Sequence, residues 1–431
     1  MSQRAIASTG LMGGVVNAAR LVGGLLLGFL FLVVPSYNPA VLNTGSERLY
    51  VGGVLVLAAA TTAVVPLFAA RAWWVLAASS FAALYVLEGA VRTHDSFNVI
   101  ANAYRPLQPI VAYCACALLL TPERRGRWLM LLLAGGAIGS TLAALHTFVP
   151  GFDPFSVSRP SQPFVSEYGS GLQRETGAFA YPNNLGTYCA YIAVIGLTVM
   201  STKRDRKVII LLGLVVTSAL TGLFVSGARA ALLGFLAGAV VLTWRQKHIR
   251  LPLVGGLVGA GLLFAGFLTL TGHWHQVVAD RIGGVGTSLS IRFPAWQSAW
   301  HVLLRSPLYG AGPFTGTIDA SLAYLIQVGG LIAVALVIGM YWFSALRPVR
   351  FGDRSSVPLL VAVAASSLLQ DSLGQPLVNW LIGAGVWLIS SPLRAPAPSA
   401  EEAAAETRRA RAPGRLLAVG PPWTRHRRSR A

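Results

Sequence analysis

Apolar runs of about twenty residues recur along almost the whole chain, and each is long enough to cross the hydrocarbon core of a bilayer as a helix. Hydrophobic residues make up 54% of the 431 residues, and charged residues make up only 11%. Soluble domains carry about 25% charged residues. The sequence therefore predicts an all-α polytopic membrane protein and excludes a soluble domain held by one anchor.

The pattern divides the chain into a transmembrane domain, residues 1–394, and a basic tail, residues 395–431. Twelve spans are predicted, at 14–34, 49–70, 72–90, 103–121, 128–149, 177–200, 208–226, 228–244, 251–271, 318–344, 357–373 and 377–393. Two connections are long, 150–176 and 272–317. Because loops carry a large share of binding and catalytic residues, functional side chains are expected there.

Basic residues favour one orientation of these spans. With the N-terminus in the cytoplasm, the cytoplasmic segments hold 24 basic and 6 acidic residues, and the rest of the chain holds 10 and 9. Cytoplasmic loops are enriched in Lys and Arg, so both termini are predicted to be cytoplasmic. The tail has too few apolar residues to fold alone. It is expected to be disordered and either to lie along anionic headgroups or to act only as an orientation signal. It has no module that reads bases, so nucleic acid is not an expected partner.

Arg229 interrupts the apolar run "LTGLFVSGARAALLGFLAGAVVL", residues 220–242. A charge in hydrocarbon costs about 2.5–3.5 kcal/mol, so this side chain is expected at a membrane surface or in a functional site. The letters "FVSGAR" predict a tight outer turn at Ser226 and Gly227, with Arg229 in the first turn of the next helix. A helix N-terminus with a guanidinium favours a phosphate ligand. The alternative is an arginine that snorkels to the outer headgroups.

Other polar residues are predicted on the same outer side as Arg229. Three of them are arginines, one before the span at 177–200 and two in the 272–317 loop, namely Arg174, Arg281 and Arg292. The four arginines indicate an anionic partner, either a transported small anion or a lipid-linked phosphate. The motif "YPNNLG" places Asn183 and Asn184 at the start of a span and predicts a polar helix start that lines a cavity.

The segment after Arg292 is predicted to be an amphipathic helix within the long outer loop. An apolar stripe recurs there at helical spacing, at Trp296, Trp300 and Leu304. A polar row lies beside the stripe, at Gln297, His301 and Arg305. We expect the tryptophans to anchor this helix at the level of the lipid headgroups.

Five short motifs occur in an order that resembles the O-antigen ligase and O-antigen polymerase family. They are "RETGAFAYPNNLGTYCA", "SGARAALLG", an R-x-x-x-W-x-x-A pattern (Arg292, Trp296, Ala299), "PLYGAGPF" and "IDASLAYLIQVGGL". The resemblance covers residues 170–340. The N-terminal spans resemble the family only in being hydrophobic.

The resemblance implies a metal-independent glycosyltransferase of the helical GT-C membrane type in the bacterial plasma membrane. Such enzymes take a glycan from a polyprenyl diphosphate, such as undecaprenyl diphosphate, on the outer face. They transfer it to a growing chain, as polymerases, or to a lipid or other acceptor, as ligases. Carried over by motif, Arg229 and Arg292 would bind the diphosphate and stabilise the leaving group, with Arg174 as a partner. No cofactor is implied, and the outer segments show no Asp-x-Asp cluster of the kind that holds a divalent cation.

Inverting transfer also needs a base that takes the proton from the acceptor hydroxyl. Asp319, near the outer end of the span at 318–344, is the candidate base, and His301, His273 and His275 are rivals. The ligases of the family place a histidine where Asp319 stands, so the choice between polymerase and ligase stays open. The alternative role of Asp319 is to cap the helix that follows it. The 272–317 loop is expected to form a mobile cover over Asp319.

A membrane transporter of a small anion or glycan precursor is the alternative function, because an anionic partner fits that class too. Transporters often show internal repeats and charges at the membrane midplane. This chain shows no clear repeat, and its arginines cluster on the outer side. The pattern therefore favours chemistry at the membrane surface over transport.

Overall fold

The structure is a computed structural model, and it describes a little more than half of the chain. The described residues are 10–43, 48–69, 108–149, 151–156, 167–168, 172–179, 181–203, 205–246, 250–270, 272, 292–311, 321–327, 329–335, 355–369 and 376–390. Four predicted features lie outside them, namely the span at 72–90, Arg281, Asp319 and the tail at 395–431.

Helices make up most of the described chain. In chain order they are α1 (Gly10–Leu32), α2 (Val51–Ala69), α3 (Gln108–Leu119), α4 (Arg125–Phe148), α5 (Pro182–Met200), α6 (Arg206–Ser226), α7 (Arg229–Arg245), α8 (Arg250–Leu270), α9 (292–305), α10 (Val357–Ser367) and α11 (Pro376–Ile389). A 3₁₀ turn, Pro122–Arg124, precedes α4, and residues 321–327 and 329–335 are also helical.

Two short antiparallel hairpins join the helices. β1 (Ala40–Asn43) pairs with β2 (Arg48–Tyr50), with Leu42 opposite Leu49 and an irregularity between positions 40 and 42. β3 (Glu167–Tyr168) pairs with β4 (Leu172–Gln173) and leads directly into Arg174. The predicted helical class is thus confirmed, with these hairpins as small additions in the connections.

The helices have the length and composition of a membrane protein. Four stretches within the described residues are long and apolar enough to cross a bilayer, namely Gly13–Leu32, Pro122–Phe148, Arg206–Ser226 and Leu253–Leu270. Shorter apolar helices lie at Val51–Leu67, Gln108–Leu119, Arg229–Trp244, Val357–Ser367 and Leu377–Ile389. A multi-pass membrane protein is therefore confirmed, whereas the count of twelve spans stays a prediction.

Apolar side chains also cover the outside of the helices. Leu25 on α1, Leu214 on α6 and Leu262 on α8 are each about two-thirds exposed. An apolar surface of this kind is unfavourable in water and suits contact with lipid. The described helices thus have apolar side chains both on the faces that pack together and on the faces that point outward.

Helix α5 forms the centre of the bundle. Every side chain from Asn184 to Met200 is buried, and the helix contacts α4, α6, α7, α10 and α11. Small residues allow this close packing. A β-carbon added at Gly222 of α6, for example, would lie 2.8 Å from the sulfur of Cys189.

Helices α7 and α10 pack backbone to backbone through two glycines spaced four residues apart. A β-carbon added at Gly234 would lie 2.7 Å from the carbonyl oxygen of Ala362. One added at Gly238 would lie 2.7 Å from the carbonyl oxygen of Pro358. Small residues at this spacing let membrane helices approach closely. The register is antiparallel, so the start of α7 lies at the same end of the bundle as the end of α10.

Candidate functional site

The turn between α6 and α7 has the conformation that its sequence predicts. Helix α6 ends at Ser226, Gly227 adopts a left-handed conformation with φ +66°, and α7 begins at Arg229. The Ser226 hydroxyl donates to the carbonyl of Leu223 at 2.7 Å and accepts the N–H of Ala228 at 3.3 Å. Glycine suits the left-handed position because it has no β-carbon. The turn is therefore held by its own residues.

All of the last four carbonyl groups of α6 accept a hydrogen bond. Helix ends leave these carbonyls without intrahelical partners, and the Ser226 hydroxyl satisfies the first of them. The Gly227 N–H satisfies Phe224 at 3.1 Å and the Glu175 N–H satisfies Val225 at 3.2 Å. The Arg174 Nε donates to the fourth carbonyl, that of Ser226, at 2.9 Å.

Arg174 joins this turn to the start of α5. Its Nη2 donates to the Oδ1 of Asn183 at 2.7 Å while its Nε caps α6. A cation at a helix C-terminus is favourable because of the helix dipole. The structure thus brings together Arg174, Asn183 and the turn before Arg229, and it gives Arg174 a role in holding that turn.

The start of α7 has the electrostatic character of an anion site. Its N-cap residue, Ala228, provides no side-chain cap, and the first backbone N–H groups of a helix have no intrahelical acceptor. Arg229 is the first residue of this helix and is partly exposed. Next to Asn183, Asn184 is only 5% exposed, and its Nδ2 has no hydrogen-bond partner among the described residues. Donors are therefore concentrated at this end of the bundle.

Helix α9 is docked on the bundle near the end of α10. The Trp296 Nε1 donates to the carbonyl of Leu368 at 3.2 Å, and the Gln327 Nε2 donates to the carbonyl of Ala295 at 3.0 Å. Ala299 is buried against Ala323. The start of α7 also lies near the end of α10, so Arg292 and Arg229 belong to elements at one end of the bundle. Their convergence on one cavity stays a prediction.

The predicted tryptophan stripe does not form one uniform face. Trp296 packs against the protein, whereas Trp300 is 59% exposed and Leu304 is 64% exposed. Residues four apart on a helix are displaced by about 40° around its axis, so the stripe turns away from the docking face within two steps. The exposed part suits a headgroup-level anchor, and Trp296 is a docking residue.

The polar row of α9 lines an open groove of about 530 Å³. Its lining residues are Pro294, Gln297, Ser298, His301, Val302 and Arg305. His301 and Arg305 are exposed in this groove.

The chain after α9 fills a break in the helical segment at 321–335. The Ala311 N–H donates to the carbonyl of Gln327 at 2.7 Å, and the N–H groups of Leu331 and Ile332 donate to Pro307 and Leu308. Residues 307–311 therefore complete the hydrogen bonding of a discontinuous helix, as irregular backbone in a membrane protein requires. In this conformation residues 295–311 of the predicted cover are held to the bundle.

A second polar cluster lies on the other side of Arg174, and no sequence pattern singled it out. Glu175 is only 4% exposed, and its carboxylate bonds the imidazole Nδ1 of His146. The His146 Nε2 lies 3.7 Å from Asp153. Glu175 follows Arg174 in the first family-like motif, and this position was the one feature of the sequence that could have indicated a role for Glu175. In the part of the chain that the structure describes, no group of three or more His, Cys, Asp or Glu side chains could hold a metal ion.

Residues 212–332 match the family model described as O-Antigen ligase. This match assigns the segment to the O-antigen ligase family. The O-antigen ligase segment contains the turn before Arg229, the start of α9 and the interlocked break at 307–332, and it confirms the resemblance seen in the sequence motifs. The family indicates a membrane protein with a glycan-processing function of the ligase or polymerase type. No curated protein matches the chain closely enough to count as a relative.

Proposed function

We propose that the protein is a metal-independent glycosyltransferase that acts on the outer face of the bacterial plasma membrane. It would transfer or polymerise a glycan from a polyprenyl-diphosphate donor onto a glycan or lipid acceptor. One observation carries the proposal: within the O-antigen ligase segment, a helix begins at Arg229, directly after a turn that Arg174 holds, and its N-cap residue provides no side-chain cap.

The leaving group of this reaction defines the chemistry that the site must supply. When the glycosidic bond to the donor breaks, negative charge develops on the diphosphate, and pre-positioned donors stabilise that charge in the transition state. The Arg229 guanidinium and the N–H groups at the start of α7 are donors of this kind. Arginine suits the role because its planar fork bonds two phosphate oxygens at once.

Arg292 and the start of α9 supply the second part of the proposed donor site. Trp296 and Gln327 hold α9 against the bundle, so the first residues of that helix are fixed relative to α10. Arg292 would contribute a second guanidinium to the diphosphate, and Arg281 would add charge from the preceding loop.

The acceptor hydroxyl needs a base, and Asp319 is the proposed one. It precedes the helical residues 321–327, with His301 in the groove of α9 as the rival. An asparagine at position 319 could still cap a helix but could not accept the proton. In a purified assay, Asp319→Asn should abolish transfer, and near-normal transfer by this variant would move the role to His301.

The decisive test is transfer by the purified protein from a polyprenyl-diphosphate glycan, followed by gel or mass analysis of the product. Arg229→Lys should lower kcat/KM about 100-fold, the scale seen when one donor to a developing oxyanion is removed. The matched control is Arg250→Lys, an exposed arginine at the start of α8. EDTA should leave the turnover of the native protein unchanged, since arginines supply the charge. Equal transfer by both variants, or a loss in EDTA that added magnesium restores, would contradict the proposal.

The same variants distinguish an enzyme from a carrier. An anion transporter with Arg229 in its pathway would lose flux across proteoliposomes in the Arg229→Lys variant and would make no glycan product in detergent. The enzyme should make product in detergent, where no second compartment exists.

A further inference from the structure

We infer that Glu175 is a positioning residue of this site, acting through Arg174 on the turn that precedes Arg229. The inference rests on the proposed function, because it concerns the placement of the proposed phosphate-binding arginine. It assigns a role to a buried carboxylate that does not itself contact the substrate.

The side chains of the consecutive residues 174 and 175 reach in two directions. The Arg174 side chain reaches Ser226 and Asn183, whereas the Glu175 side chain reaches the end of α4. The backbone between them bonds Val225 through the Glu175 N–H. Fixing Glu175 on one side therefore fixes the arginine on the other.

Both oxygens of the Glu175 carboxylate are hydrogen-bonded. Its Oε1 accepts the N–H groups of Thr176 at 3.0 Å and Gly177 at 2.7 Å. Its Oε2 bonds the His146 imidazole and lies 3.4 Å from the Thr147 hydroxyl, which donates at the shorter distance of 3.1 Å to the carbonyl of Ala143. A carboxylate offers about four acceptor positions, and three of them are occupied here by Thr176, Gly177 and His146. The bonds to α4 tie the segment to one of the candidate spans, which makes Glu175 an anchor.

Hydrogen bonding explains why a carboxylate is tolerated at 4% exposure. Burying an isolated charge is unfavourable unless the charge is paired and hydrogen-bonded. His146 faces both Glu175 and Asp153, and the Asp153 side chain is 41% exposed. The cluster therefore extends from the buried anchor to the surface of the protein.

The test is a double-mutant cycle on donor kcat/KM, using the full-length purified protein. Glu175→Gln keeps an acceptor for the two N–H groups but replaces Oε2 by a donor, and it should lower kcat/KM about ten-fold. Small displacements remote from the reacting atoms cost up to about 100-fold, and Glu175→Ala should approach that loss. When either variant is combined with Arg174→Ala, kcat/KM should fall no more than about three-fold below that of Arg174→Ala alone. The effects of coupled residues are non-additive.

A merely structural role gives a different result. If Glu175 only stabilised the fold, the losses in the double variant would multiply, and that result would overturn the inference, as would normal kcat/KM in Glu175→Gln. Glu175→Gln keeps the shape of the side chain, so it can be used for the test if Glu175→Ala does not fold. The matched control is Glu123→Gln, at an exposed carboxylate in the 3₁₀ turn before α4, and it should be neutral.

Failure of the inference can be separated from failure of the proposed function. If Arg229→Lys and Arg174→Ala both transfer glycan normally, the proposed site is wrong. If both are impaired while Glu175 and Arg174 act independently, the site stands and Glu175 has no positioning role.

Discussion

Gly186 of α5 and Ala228 of the turn before α7 are packed so closely that position 186 has no room for a side chain. A β-carbon added at Gly186 would lie 2.3 Å from the β-carbon of Ala228 and 2.5 Å from the Ser226 hydroxyl. The start of α5 is therefore seated against the turn that presents Arg229. This contact and the Arg174 bonds fix the turn from two sides.

Replacing Gly186 by alanine should move this turn. Overpacking of a close contact costs about 1–3 kcal/mol, and the residue that must yield is next to Arg229. We expect a lower thermal unfolding temperature in detergent together with a drop in donor kcat/KM.

Gly213→Ala is the matched control for Gly186→Ala. Gly213 lies within α6, and an added β-carbon there would meet no described atom within 4 Å. Alanine favours a helix over glycine by about 0.5–1 kcal/mol, so this variant should be as stable as the native protein or more so. Equal behaviour of the two variants would contradict the packing account.

Arg174→Lys should impair transfer although it keeps the charge. Arg174 bonds Ser226 through Nε and Asn183 through Nη2, and a lysine ammonium lacks the fork that serves both acceptors. We expect kcat/KM for the donor to fall about ten-fold, because hydrogen bonds to charged groups contribute about 1.5–3 kcal/mol. Arg127→Lys, at an exposed position of α4, is the control. A native rate in Arg174→Lys would show that neither bond positions the site.

The sequence predicted the turn and the helix starts around it because their signals are local. Ser226 and Gly227 are turn formers, and Arg229 stands out in an apolar run, so the sequence placed these residues correctly without knowledge of the fold. Hydrophobic runs likewise located α4, α6 and α8 within a few residues. The apolar stripe of α9 was visible in the sequence. Which of its residues pack against the protein and which are exposed depends on the helices that lie beside α9.

The partnership of His146 and Glu175 could not be predicted in the same way. The two residues are 29 positions apart, at the end of one helix and in the extended segment before another. Their contact depends on how α4 and α5 pack, and no local pattern encodes that packing. For the same reason, the sequence led to the prediction that Arg174 is a phosphate partner, and it did not indicate that Arg174 caps α6.

The orientation of the protein is open to a direct test. The split of basic residues predicts that Ala400 and the 272–317 loop lie on opposite sides of the membrane. Reporter fusions that are active only in the cytoplasm should be active at Ala400 and inactive in the loop. Activity at both positions would rule out the predicted topology and, with it, an outward location of Arg229.

The interlock between residues 307–311 and residues 327–332 gives the last prediction. Gly310 has φ +66°, and a β-carbon added there would lie 2.6 Å from the carbonyl oxygen of Gln327 and 2.7 Å from the backbone N of Gly330. Gly310→Ala should therefore force residues 307–311 out of the break in the helix. The end of α9 would then lose its support, and we expect donor kcat/KM to fall along with thermal stability.

A second glycine separates the two causes of that loss. Gly272 also has a positive φ, +72°, but an added β-carbon there would meet no described atom within 4 Å. Gly272→Ala should therefore carry only the conformational strain of a left-handed residue, about 1–2 kcal/mol, with little effect on transfer. If Gly310→Ala lowers kcat/KM no more than Gly272→Ala does, the interlock has no part in positioning α9. A larger loss at 310, with greater protease sensitivity in 292–311, is the expected result, because the displaced loop exposes backbone that the helical break now satisfies.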